Sequence, residues 1–107
     1  LAGHSMGGYG TWDLLGRAPQ KIAAAVPICG GGDPALAARF KDVPLFAFHG
    51  DKDSEVPVAA TRDMIAALKR AGGHPKATYF PGVDHVSWPL VYDDPAVYRW
   101  MFAQKKN

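Results

Sequence analysis

Residues 3–7 read Gly-His-Ser-Met-Gly, a G-x-S-x-G pattern, and they constrain this chain more than any other stretch. The pattern sets a serine on a sharp turn from a strand into a helix, where small flanking residues let the two elements pass closely. Gly3 and Gly7 supply that smallness. A helix starting behind Ser5 places its hydroxyl, and the N–H of Met6, where negative charge can be stabilised. The same letters also fit a glycine-rich helix start capped by a serine. Only Leu1 and Ala2 precede the motif. The strand leading into the turn is therefore expected as a stub, Leu1 to Gly3, at the front edge of a domain whose first half is missing.

Downstream, strand and helix signals alternate, which predicts an α/β fold with a short, mostly parallel sheet flanked by helices. Met6 to about Arg17 reads as a helix, with Pro19 just beyond its end. Ile22 to Ile28 is an apolar run closed by Gly30-Gly31-Gly32, the pattern of a buried strand entering a loop. Pro34 to Phe40 predicts a short helix. Pro44 to His49 is apolar on both faces, as a central parallel strand should be. Pro57 opens a helix to about Ala71, with Ala60, Met64, Ala67, Leu68 and Ala71 on one face and Gly72-Gly73 as its stop. Lys76 to Phe80 is the last strand. After a loop, Pro95 to Gln104 predicts a terminal helix whose aromatic residues Tyr98, Trp100 and Phe102 are expected in the core.

A chain of 107 residues holds one domain, residues 1–107, and its 48% hydrophobic and 21% charged content is that of an ordinary globular protein. A net charge of +2 gives no reason to expect nucleic acid as a partner, and Lys105-Lys106 reads as a solvated end. No apolar run approaches the roughly 18 residues of a membrane span. The single cysteine, Cys29, excludes an internal disulfide framework and reads as a small buried residue after a strand. A chain that starts inside a fold carries no information about its compartment through a leader.

A serine hydroxyl needs a histidine to take its proton, and that histidine needs a carboxylate to hold its tautomer. His4 adjoins Ser5 on a turn where side chains diverge. His49 ends an apolar strand and reads as structural, and His74 lies in a turn expected at the far end of the sheet. His85 lies in Gly82-Val-Asp-His-Val-Ser-Trp88, after the last strand and at its carboxyl end, where sites of open α/β sheets lie. It is the candidate base. For the acid, the loop after Phe48 offers Asp51, Asp53 and Glu55. Asp53 is favoured because the chain leaves the strand there and returns through Val56-Pro57 into a helix, with Asp51 as the competitor. Asp84 neighbours His85 too closely to orient its ring. The order Ser5, Asp53, His85 matches one known arrangement of such triads. A metal site at His49, Asp51 and Asp53 is chemically acceptable but lacks an obvious fourth ligand. No metal or cofactor is expected.

G-H-S-M-G-G-Y-G-T-W, H-G-D-K-D-S-E-V-P and G-V-D-H-V-S-W together resemble the α/β-hydrolase superfamily. The likeness is to its carboxylesterase/dienelactone-hydrolase-like branch, which includes feruloyl-esterase-like and polyhydroxybutyrate-depolymerase-like enzymes. The stretch Trp88 to Trp100 resembles the end of bacterial proteins labelled predicted peptidases or phospholipase/carboxylesterases. The resemblance, which covers essentially the whole chain, implies Ser5 as nucleophile, Asp53 as acid, His85 as base and the Met6 N–H as one oxyanion donor. Trp88 either lines the acyl or alcohol pocket or packs in the core. The chain corresponds to the second half of such a fold; the earlier strands and the loop giving a second oxyanion donor are not matched, and Asp84 stands where many relatives have glycine. The implied partner is a small-molecule ester, with short acyl chains as the expected substrates. The alternatives are a catalytically silent C-terminal piece that needs its first half and, within the enzyme class, a serine peptidase. The stub at Leu1-Ala2 leaves an apolar sheet edge, so a homo-oligomer formed through that edge is expected.

Overall fold

The computed structural model describes residues 1–104, so the end at Lys105-Lys106 lies outside the described residues. Four strands, β1 (Ala2–His4), β2 (Val26–Ile28), β3 (Phe46–Gly50) and β4 (Lys76–Phe80), form one sheet in the order β1-β2-β3-β4, every neighbouring pair parallel. Between them run α1 (Met6–Arg17) after β1 and α2 (Ala59–Arg70) after β3, with α3 (Trp88–Tyr92) and α4 (Pro95–Ala103) following β4. Parallel neighbours require such crossovers, because a two-residue turn cannot return the chain to the same end of the sheet.

The strands alternate their side chains between two cores, which is why they read as apolar on both faces. Leu45 and Ala47 face a cluster with Trp12 and Leu15 of α1, Phe40, and Met64, Ile65 and Leu68 of α2. Phe46 and Phe48 face the other way, with Val26, Ile28, Val91, Val97, Trp88 and Trp100. Leu15 and Leu68 are almost wholly buried, and each such side chain contributes about 1.5–3 kcal/mol relative to exposure. Helices therefore cover both faces of a short parallel sheet.

The structure departs from the sequence expectation in three places. The Ile22–Ile28 run forms a ladder only over Val26–Ile28, preceded by a 3₁₀ turn at Pro19–Lys21 and an isolated bridge from Ala25 to Leu45. Pro27 stands within β2 and has no N–H to give, which limits how far a ladder can extend. Pro34–Phe40 is the short helix expected, of the 3₁₀ type, capped by the Asp33 side chain, which accepts from the Ala35 N–H at 3.0 Å. The loop after β4 contains α3, a single short turn with Pro89 in its first positions. In α4, Trp100 packs against the core as expected, but Phe102 is 78% exposed and Tyr98 is also exposed.

Candidate active site

β1 ends at His4 and α1 begins at Met6, so Ser5 alone makes the turn. It does so at φ 53° and ψ −115°, a left-handed backbone that non-glycine residues rarely adopt. Such strain is stable only where the surroundings impose it. Here the Ser5 N–H donates to the Ile28 carbonyl at 3.0 Å, its own carbonyl accepts from the Tyr9 N–H, and a Cβ on Gly3 would meet the Gly7 carbonyl carbon at 2.5 Å. Only glycine at position 3 lets strand and helix cross this closely. Met6 is the first residue of α1, so its N–H has no intrahelical acceptor and remains available to an anion.

The structure brings the three predicted side chains into one line. The Ser5 hydroxyl lies 2.8 Å from His85 Nε2, and His85 Nδ1 lies 2.8 Å from Asp53 Oδ2. A carboxylate can only accept, so Nδ1 carries a proton and Nε2 is left to accept from the serine. Asp53 and His85 follow β3 and β4 at their carboxyl ends, beside the carboxyl end of β1 that delivers Ser5. Of the rival acids, Asp51 is turned away and accepts from the Gly82 N–H at 2.7 Å. Asp84 takes the backbone N–H and hydroxyl of Ser54, both at 2.9 Å, and the N–H of His85 at 2.7 Å, so it ties the acid loop to the base loop and leaves the ring alone. Those Ser54 and His85 donors hold the Asp84 carboxyl below its ordinary value.

Asp53 itself is built into a nest. Its Oδ1 accepts from the N–H of Glu55 at 2.9 Å and of Val56 at 2.8 Å, and its side chain has no solvent contact. Burial pushes its carboxyl up, but the Val56 N–H, the His85 ring and the Glu55 N–H together outweigh it, and the net shift is downward. The acid thus stays ionised under the imidazole.

His49 is fully buried and structural, as its place at a strand end suggested. Its Nε2 reaches the Val56 carbonyl at 2.8 Å and Asp53 Oδ2 at 3.2 Å, both acceptors, so Nε2 holds the proton. Its Nδ1 meets the Thr61 hydroxyl at 2.7 Å. The support given by His49 and Thr61 was not legible in the sequence. Thr61 interrupts the apolar face of α2, and the i, i+4 spacing of His49 and Asp53 across a strand end was the sole local signal.

The structure does not gather His49, Asp51 and Asp53 as a metal site, because Asp51 faces Gly82. Among the described residues the group with ligand atoms within 4.8 Å of one another is Cys29, Asp53 and His85. Two of these already bond to each other, and burial pushes the Cys29 thiol up, away from the thiolate a metal needs, despite contacts with Ser5 and Ser87 that act the other way. Cys29 is fully buried, as expected, at φ 45°. His4 points aside, its Nδ1 3.2 Å from the Tyr92 hydroxyl and its ring stacked on Trp88 at 4.3 Å. Trp88 also meets the His85 ring edge-on at 5.7 Å, so it both packs in the core and walls the base. His74 is exposed near the start of β4, the opposite end of the sheet.

A parallel sheet with helices on both faces, a serine on the strand-to-helix turn, and loops converging at the carboxyl ends define the α/β-hydrolase class. Residues 33–104 match the Prolyl oligopeptidase family, and the chain belongs to that family. It is 33% identical to a monoacylglycerol lipase of Mycolicibacterium smegmatis, over 82% of this chain and 31% of that protein. It is 30% identical to an uncharacterized secreted protein of Arthroderma benhamiae, over 79% of this chain and 12% of that protein. The crystal structure of a thermostable esterase superposes with a TM-score of 0.91 at 40% identity, covering 96% of this chain and 30% of that one. The chain thus spans less than a third of the length of these relatives.

Proposed function

We propose that this chain carries the acyl-transfer site of a serine hydrolase that cleaves carboxylic esters, with short acyl groups preferred. The observation that carries the reading is the unbroken line from Ser5 to His85 to Asp53, two contacts of 2.8 Å hung on a strained turn. Ser5 Oγ attacks the ester carbon while His85 Nε2 takes its proton. The oxyanion forms against the Met6 N–H, and Asp53 steadies the imidazolium. Collapse breaks the bond to the leaving oxygen, which receives the proton from Nε2, and a water molecule then repeats the sequence to free the acid. Trp88, beside His85, is assigned to the wall of the pocket.

The named relatives include an esterase and a lipase, which favours ester substrates. The family match favours a second reading, peptide cleavage, whose poorer leaving group asks more of the oxyanion hole. A third reading is that the site is silent until a further segment supplies a second oxyanion donor, and the small share of each relative that the chain spans favours it. Loss of one donor costs about 10²–10³ in rate, against total enhancements of about 10⁶ or more, so activated esters remain within reach. Hydrolysis of p-nitrophenyl acetate by the chain and by Ser5→Ala tests this. A rate lost in the variant, with fluorophosphonate labelling of Ser5, is the expected result; equal rates would leave the site silent.

A further inference from the structure

Glu55 has no part in that scheme, yet its carboxylate lies against the base. Its Oε2 is 3.1 Å from His85 Nε2, the nitrogen that also meets Ser5 Oγ at 2.8 Å, while 69% of its side chain remains exposed. Nδ1 is already held by Asp53, so Glu55 is a second carboxylate, on the solvent side of the ring. Its backbone is fixed by the N–H bond to Asp53 Oδ1, and the neighbouring Ser54 is fastened to Asp84. Among the described residues no Lys or Arg pairs with it within 4.0 Å.

The leaving oxygen must receive its proton from Nε2 and therefore comes within about 3 Å of that atom. Substituents on the leaving group then pass beside Glu55, a carboxylate that no Lys or Arg offsets among the described residues and to which Nε2, unprotonated in the resting site, has no proton to give. We propose that Glu55 is a specificity-determining residue that favours esters whose leaving group carries positive charge near the scissile oxygen. This rests on the serine-hydrolase reading.

The test compares acetylcholine with 3,3-dimethylbutyl acetate, which have the same shape and differ by one charge. Acetate release is followed for the full chain and for Glu55→Gln and Glu55→Lys, with thermal melts to show that each variant folds. The ratio of kcat/KM, cationic over neutral ester, should fall about threefold to fivefold in Glu55→Gln, the size expected of an exposed ion pair, and further in Glu55→Lys. About 1 M salt should compress the ratio of the parent chain and leave that of Glu55→Gln unmoved. A residue that merely shapes the loop would change both esters alike, so an unchanged ratio with the neutral ester still cleaved overturns the assignment alone. Turnover of neither ester above Ser5→Ala would overturn the hydrolase reading and this proposal with it.

Discussion

Gly50 closes β3 with its α-carbon against the backbone of the His85 loop, and replacing it with alanine should separate the base from the acid. A Cβ there would meet the Val83 carbonyl oxygen and lie 2.6 Å from the Asp84 carbonyl oxygen, where ordinary contact begins at 3.4 Å. Both obstacles are backbone, so the loop must retreat by at least about 0.8 Å, the shortfall at the Asp84 oxygen, and further at the nearer Val83 oxygen. That retreat stretches a His85–Asp53 bond of 2.8 Å toward 3.6 Å, beyond hydrogen-bonding range. Misplacement on the order of 1 Å costs about 10²-fold in rate. Overpacking of this kind also destabilises by about 1–3 kcal/mol, or roughly 5–15 °C in Tm for a domain of this size. The assay is kcat/KM on p-nitrophenyl acetate, beside a thermal melt. Gly10→Ala is the control, since nothing lies within 4 Å of a Cβ there and it sits in α1. It should raise stability by about 0.5–1 kcal/mol and leave the rate alone. Gly50→Ala at parental kcat/KM would refute the claim that backbone packing sets the register of base and acid.

Asp53 is held below its ordinary carboxyl value when folded, so its contribution to stability is complete above the unfolded value of about 3.9 and is lost as pH falls through the folded one. Tm should therefore drop more steeply below about pH 4 in the parent chain than in Asp53→Asn, and parallel profiles would count against it. At the other end of the sheet β1 pairs with β2 alone among the described residues and is flanked by the exposed Leu1 and Met6. Self-association through this edge is expected in light scattering, and a strictly monomeric species at high concentration would refute it.

Much of this was legible in the sequence because it rests on local chemistry. The G-x-S-x-G turn at Gly3–Gly7, the double-faced apolar strand around Phe46–Phe48 and the placement of Asp53 and His85 after successive strands all follow from backbone sterics and from where parallel strands end. Choosing Asp53 over Asp51 was also within reach, since the return through Val56-Pro57 marks the loop that folds back. Other features needed the chain to be assembled. The extent of β2 depends on which N–H groups find partners across the sheet, and the run from Ile22 does not show that. Phe102 looked like core by composition, but α4 is one short helix that buries only part of its circumference, and the side left over faces solvent. His49 and Thr61 were unreadable as supports for Asp53, because a hydrogen bond between residues on a strand and a helix leaves no period in either.

The strained serine turn, the parallel α/β order and the choice of Asp53 and His85 as partners for Ser5 were already set in the residue order, because each rests on short-range geometry. The tertiary structure alone decided that Asp84 laces the two loops and that Glu55 stands against the base. Those contacts join residues about thirty positions apart, and only the packing of β3 beside β4 brings their loops within hydrogen-bonding range.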